Sequence, residues 1–399
     1  MSTSKTTEVR GYVEEGWGSV ADAFRENFEL HGDVGAACSV YAKGNPVVDL
    51  WGGVADPSTG RPWQEDTVVL AMSTTKGATA ICANRLAERG EIDLDAPVAE
   101  YWPEFAANGK EATKVRWLLS HQAGLPVLDG PLTLEQACEW TPVVEALAAQ
   151  PPLWEPGTRH AYHAFTYGFL IGEVVRRATG RTIGQTFAEE VAVPLRLDAW
   201  IGLPHAAEAR VAPLQPPPEI EMDPATAEMM AQLTGPESVF GRAMAFGGAV
   251  PPTFVTERGG MNARQVRASE WPAANMVSDA RSVARMYAAT IGDVAGVRLL
   301  SEAALERAVT RQTADSTIFG APPGMEASLD MQFGLGFMLP AATQWLSPAS
   351  FGHSGAGGSL GFADRDAGIG FGYVMNQMAM MPDDPRTRGL IAAVRGVLG

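Results

Sequence analysis

Strand-like segments cluster at the two ends of this chain and helix-like segments fill the stretch between them, so the two ends must meet to make one sheet. Residues 35–41 and 46–51 are apolar runs separated by Ala42-Lys43-Gly44-Asn45, a hairpin signal with Gly and Asn at the turn. Near the other end, 334–339, 350–353, 359–364 and 368–376 are short runs divided by Gly-rich turns. The simplest architecture joins them into a central antiparallel sheet flanked by terminal helices. Those helices are expected at about 9–30, where Val13, Trp17, Val20, Phe24 and Phe28 recur at helical spacing, and at about 386–397.

The middle reads as helical at 73–89, which Gly90 ends, and at 115–119, 134–150, 166–179, 183–191 and 277–291. A gap at about 204–272 is rich in Pro, Gly and Met and holds Pro216-Pro217-Pro218 and Pro251-Pro252. Such a segment is a lid, a binding loop or a loose insertion. The expected organisation is an α/β (α+β) chain. Residues 1–71 and 296–399 form the sheet domain, and 72–295 form a mostly helical domain that contains the 204–272 loop region.

A formal net charge of -16 over 399 residues repels phosphates and anionic membranes, which excludes a nucleic-acid partner and a membrane surface. The polar N-terminus has no signal-peptide core and no stretch is apolar for the length of a span, so a cytoplasmic protein is expected. Three widely spaced cysteines, Cys38, Cys82 and Cys138, fit reduced thiols better than a disulfide framework. The oligomeric state is not written in the sequence.

Ser73-Thr74-Thr75-Lys76 is an S-x-x-K motif at a helix start, where positions i and i+3 put hydroxyl and amine on one face. A serine hydroxyl becomes a nucleophile when a neighbour takes its proton, and a lysine can do so when burial lowers its pKa. The alternative is a plain helix cap with a solvated lysine. Ser2-Thr3-Ser4-Lys5 repeats the pattern in the polar tail, without a core to sit in. Gly357-Gly358-Ser359-Leu360-Gly361 matches G-x-S-x-G, but strand and turn follow it where an elbow needs a helix, so Ser359 reads as part of a glycine hairpin. His160 and His163 lack metal-ligand company, and no metal or other cofactor is expected. His353, at a strand end, is either structural or a proton donor facing a cleft. Trp154, Trp271 and the segment around 222–261 either line a substrate pocket or belong to the core.

Taken together these pieces resemble the serine β-lactamase and penicillin-binding-protein superfamily, specifically its class C-like esterases, the family VIII carboxylesterases. The resemblance rests on Ser73-Thr-Thr-Lys76, on Leu118-Leu119-Ser120-His121-Gln122-Ala123-Gly124-Leu125, on Pro156-Gly157 followed by Tyr162, and on Gly352-His353-Ser354-Gly355. It implies a β-lactamase-like fold, with Ser73 as nucleophile and Tyr162, its phenol kept acidic by Lys76, as general base, a role Lys76 can share. The oxyanion hole would be the backbone N–H groups of Ser73 and Ala356, and substrate would contact His163, His353, Ser354 and Gly355. The family's Y-x-N motif reads Tyr162-His163-Ala164 here, and its K-T-G motif reads His353-Ser354-Gly355. Both departures remove groups suited to lactams and peptides, so the implied substrate is a small-molecule ester with a short acyl chain. The alternatives are β-lactamase, D-amino-acid peptidase or amidase, acyltransferase, and a binding protein without turnover.

Overall fold

A two-residue turn sets the register of the first hairpin. Strands β2 (Gly35–Ala42) and β3 (Asn45–Asp56) pair antiparallel, with Ala42 opposite Asn45. Lys43 and Gly44 between them have φ of 49° and 82°, the double positive φ of a type I′ turn that suits strand twist. This computed structural model describes residues 7–219, 223–256, 259–321, 326, 330–340, 345–379 and 384–399. The second S-x-x-K match, at Ser2–Lys5 in the tail, lies outside them.

On its far side β3 pairs with β1 (Val9–Val13), so the helix expected from residue 9 starts only at Gly18 and α1 spans Gly18–Leu30. Gly11 explains the difference: its φ of 122° is incompatible with a helix, and a Cβ there would lie 1.9 Å from Asp49 O. The chain ends meet as expected. Ile369–Met375 pairs antiparallel with β2, and the sheet continues through Leu360–Asp364, Ser350–Ser354, Met338–Leu339 and Gln332–Phe333. Every pairing in it is antiparallel among the described residues.

The two faces of the strand Ile369–Met375 receive different helices. Helix Ala280–Ile291 lies against the face of Gly370 and Gly372, where an added Cβ would fall 2.6 Å from Ala284 O and 2.3 Å from Ala280 O respectively. That helix was expected in the helical lobe; the missing side chains of the strand let it seat on the sheet. On the other face, Tyr373 donates to Asp33, just past the end of α1, which also accepts from Arg386 of the C-terminal helix Pro385–Leu398.

Elsewhere the periodic segments are interrupted where a backbone turn intervenes. The expected helix 134–150 breaks at Trp140, φ 66°, into Leu134–Cys138 and Thr141–Ala149. The 183–191 segment is Ile183–Phe187 followed by a π turn, Ala188–Ala192. The Pro- and Gly-rich gap is not irregular throughout, because it holds helices Pro224–Thr234, Val239–Ala245 and Arg264–Ala268. No helix among the described residues is long and apolar enough to cross a membrane.

Candidate active site

Ser73 sits where the chain leaves the short strand Val68–Leu70 and enters a helix. A 3-10 turn, Met72–Thr74, leads into α2 (Thr75–Glu88). Met72 is held at φ 46°, a conformation that costs energy for a residue with a side chain and persists only where its surroundings dictate it. Here they do. Thr75 Oγ1 donates to Met72 O at 2.5 Å and accepts from Met276 N at 2.9 Å, while Ala71 N donates to Met276 O at 2.8 Å. Ser73 is left partly open between buried neighbours.

Lys76, one turn on, is fully buried. Its Nζ lies 3.2 Å from Ser73 Oγ, 2.7 Å from Ala164 O and 2.9 Å from Ala273 O. Burial pushes its pKa well below the ordinary lysine value, because a charged amine without a carboxylate partner is poorly solvated there. A neutral amine has two hydrogens and one lone pair. In that neutral form the two carbonyls would take the hydrogens, leaving the lone pair for the Ser73 hydroxyl.

Tyr162 completes the group, with Lys76 Nζ 4.7 Å from its ring centroid. Its ring lies beside His121 at 5.1 Å and His353 at 6.0 Å between centroids. Burial pushes the phenol's pKa up, and only the Ser73 hydroxyl pulls the other way. This direction runs against the expectation of a phenol held acidic by Lys76. Burial disfavours the charged amine and the phenolate alike, so Lys76 gives the phenol little help in losing its proton.

His163 does not face a substrate. Its Nδ1 bonds to Ala161 O at 2.7 Å, and its Nε2 accepts from Leu125 N at 3.0 Å. Both ring nitrogens are thus occupied inside the protein, and burial brings the pKa down to about 3. His353 is different. Its Nδ1 bonds to Ser354 O at 2.6 Å, whereas Nε2 is buried without a partner among the described residues. Burial brings its pKa down to about 3, so it is a neutral imidazole with a free acceptor. Ser354 is exposed and Gly355 and Ala356 are partly so.

The turn after this strand is pinned onto the Ser73 segment. Ser359 Oγ donates to Ala71 O at 2.7 Å and lies 3.1 Å from Thr74 Oγ1, so its hydroxyl is spent on holding the hairpin. Gly355 N donates to Ser359 O at 2.7 Å and Gly358 N to Gly355 O at 3.1 Å. The Ala356 N–H makes no hydrogen bond among the described residues and remains free.

Sequence reasoning missed three contributors. Ala164 and Ala273 act through backbone carbonyls, which residue type cannot reveal. His121, at φ 61°, accepts His163 N–H at Nδ1 (3.0 Å), stacks on Tyr167 and packs at a tilt against Tyr162. It stood inside the Ser120-His121-Gln122-Ala123-Gly124 run, and that was the available signal. Trp271 packs with Phe165, Phe169 and Phe246, and Trp154 packs with His163 and Phe319. Both are core residues. Met222, at one end of the segment named with them, lies outside the described residues. Cys38 and Cys82 are buried free thiols and Cys138 a partly buried one. No group of three or more His, Cys, Asp or Glu side chains among the described residues is placed to hold a metal.

Comparisons with known proteins give the family and the fold. The family model described as Beta-lactamase matches residues 20–395. The esterase/beta-lactamase LipL of Mycobacterium tuberculosis is 37% identical over 375 residues, 93% of this chain and 83% of that protein. Among solved structures, a family VIII carboxylesterase superposes with a TM-score of 0.83 at 37% identity, covering 98% of this chain and 100% of the other. A penicillin-binding protein homologue from Caulobacter crescentus gives 0.81 at 32% identity, with 98% and 100% covered. With a family model spanning nearly its whole length and relatives of this similarity, the chain belongs to the beta-lactamase family of serine hydrolase folds.

Proposed function

We propose that this protein is a carboxylesterase that works through an acyl-enzyme on Ser73. The observation that carries the reading is the environment of Lys76: a buried amine with two carbonyl acceptors and a serine hydroxyl. Lys76 takes the Ser73 proton as Oγ attacks the ester carbonyl. The proton then passes through the Tyr162 hydroxyl to the leaving alkoxide, a role that suits a phenol kept protonated by burial. In the second half Lys76 takes a proton from water, which cleaves the acyl-enzyme, and returns it to Ser73. The N–H groups of Ser73 and Ala356 are the oxyanion donors in this reading, supported by the free Ala356 N–H.

An uncharged ester is the favoured substrate, and two side chains support it. Ala164 offers a methyl group where an amide would bind an acylamide. His353, with its pKa near 3, offers no positive charge to a substrate carboxylate. Relatives with the words esterase and carboxylesterase in their names point the same way. A short acyl chain belongs to the reading, as does a cytoplasmic setting, which the three free thiols support.

Hydrolysis of p-nitrophenyl acetate, butyrate and decanoate by the wild type and by Ser73→Ala tests it. The expected result is turnover that falls with chain length and drops at least about a thousandfold in the variant. Equal rates in the two proteins would remove Ser73, and nitrocefin turnover matching that of the esters would move the substrate class to lactams.

A further inference from the structure

The buried guanidinium of Arg386 is fully occupied, and one of its bonds leads toward the reaction centre. Arg386 is 1% exposed and stands near the start of the C-terminal helix. Nε donates to Asp384 Oδ1 at 3.0 Å and Nη2 to Asp384 Oδ2 at 2.7 Å. Nη1 donates to Asp33 Oδ1 at 3.0 Å and to Gln377 O at 2.8 Å. Nη2 also donates to Gly357 O at 2.6 Å. A guanidinium has five N–H groups, and all five have acceptors.

The bond to Gly357 O continues through two peptide groups. Gly357 C=O and Gly358 N–H belong to one planar peptide, and that N–H donates to Gly355 O at 3.1 Å. Gly355 C=O and Ala356 N–H belong to the next planar peptide, and that N–H is the free one. The order is therefore guanidinium, peptide, peptide, open N–H, with each carbonyl accepting from the group behind it. Hydrogen bonds in such a chain polarise one another. The glycines fit the same picture: a Cβ at Gly358 would lie 2.4 Å from Arg386 Nη2, and Gly357 and Gly358 have φ of 94° and 120°.

We propose that Arg386 is a positioning residue that aims and polarises the Ala356 N–H through the peptides 357–358 and 355–356. The inference rests on the assignment of that N–H to the oxyanion hole. A group acting there affects the tetrahedral state more than the bound ester.

The test uses Arg386→Lys, which keeps the charge but has three donors on a narrower head. As a control, Glu173→Gln disturbs another charge network, the buried Glu173 with the more exposed Arg176 and Arg177, that has no path to the turn. Each protein is checked for folding by thermal melting, then assayed for p-nitrophenyl butyrate turnover and for inhibition by propylboronic acid, which forms a tetrahedral adduct on a serine oxygen. The expected result for Arg386→Lys is a kcat about ten- to a hundredfold lower, an unchanged KM and a matching loss of boronate affinity. Glu173→Gln should lower the melting temperature and leave both constants within about twofold. A folded Arg386→Lys with wild-type kcat and boronate affinity, or with a loss confined to KM, overturns the proposal. Should the lysine variant not fold, Arg386→Gln with Asp33→Asn removes one charge of each sign and takes the same assays. Wild-type turnover that survives Ser73→Ala would instead defeat the underlying esterase reading, and that outcome does not depend on Arg386.

Discussion

At the scale of single residues, the division of labour between Lys76 and Tyr162 follows from what burial does to an amine and to a phenol. Desolvation favours the neutral form of each, so the amine becomes a base and the phenol stays a proton donor. The identity of the leaving group separates this from the reverse assignment. A p-nitrophenolate departs without help, whereas an alkoxide needs a proton in the transition state. Tyr162→Phe is therefore expected to lower kcat/KM modestly, about tenfold, for p-nitrophenyl butyrate and by about a hundredfold or more for ethyl butyrate. Equal losses on the two esters would make Tyr162 the base. The sequence made Ser73, Lys76 and Tyr162 legible because their chemistry lies in their side chains. It left the protonation states open, since those depend on two carbonyls, Ala164 O and Ala273 O, that arrive from 88 and 197 residues away.

At the scale of elements, period and turn chemistry located most strands and helices, and the misses share a cause. The helix expected at 9–30 loses its first residues to a strand because Gly11 can sit against Asp49 O where no other residue can. The helix expected at 134–150 breaks because Trp140 adopts a positive φ, which apolar spacing does not report. Glycines also decide which helix a strand receives. In Ile369–Met375 the bare face of Gly370 and Gly372 accepts Ala280–Ile291 so closely that a methyl group at Gly372 would meet Ala280 O at 2.3 Å and Ala284 N at 2.7 Å. Both contacts are backbone, so the helix itself must shift. Gly372→Ala is expected to cost about 2–3 kcal/mol in urea unfolding, the usual size of an overpacked core. A change below about 0.5 kcal/mol, the scatter of a neutral surface substitution, would show that the helix has slack.

At the scale of the whole molecule, the site is assembled from parts that the fold brings together only when complete: α2, the stretch before helix Thr166–Thr179, and the turn after Ser350–Ser354. This gathering buries three imidazoles, those of His121, His163 and His353, and burial depresses all three. Stability then depends on pH. The unfolded chain takes up a proton on His163 near pH 6.5, while the folded protein resists until about 3. Stability that is fully present above 6.5 is therefore lost as the pH falls through that window, by about 2 kcal/mol for this one group at pH 5. Asp279 works against it, since burial raises its pKa to about 6 and protonation there favours the folded state as the pH falls. A single wild-type curve mixes Asp279 with all three imidazoles. The difference between wild type and His163→Asn isolates the imidazole: urea unfolding at pH 7.5 and 5.0 should show the variant, although less stable at both, losing about 2 kcal/mol less between them. Parallel losses would mean that His163 is protonated in the folded protein. Its bond from Leu125 N would then have no acceptor, and the neutral surroundings that keep Lys76 an amine would fail with it.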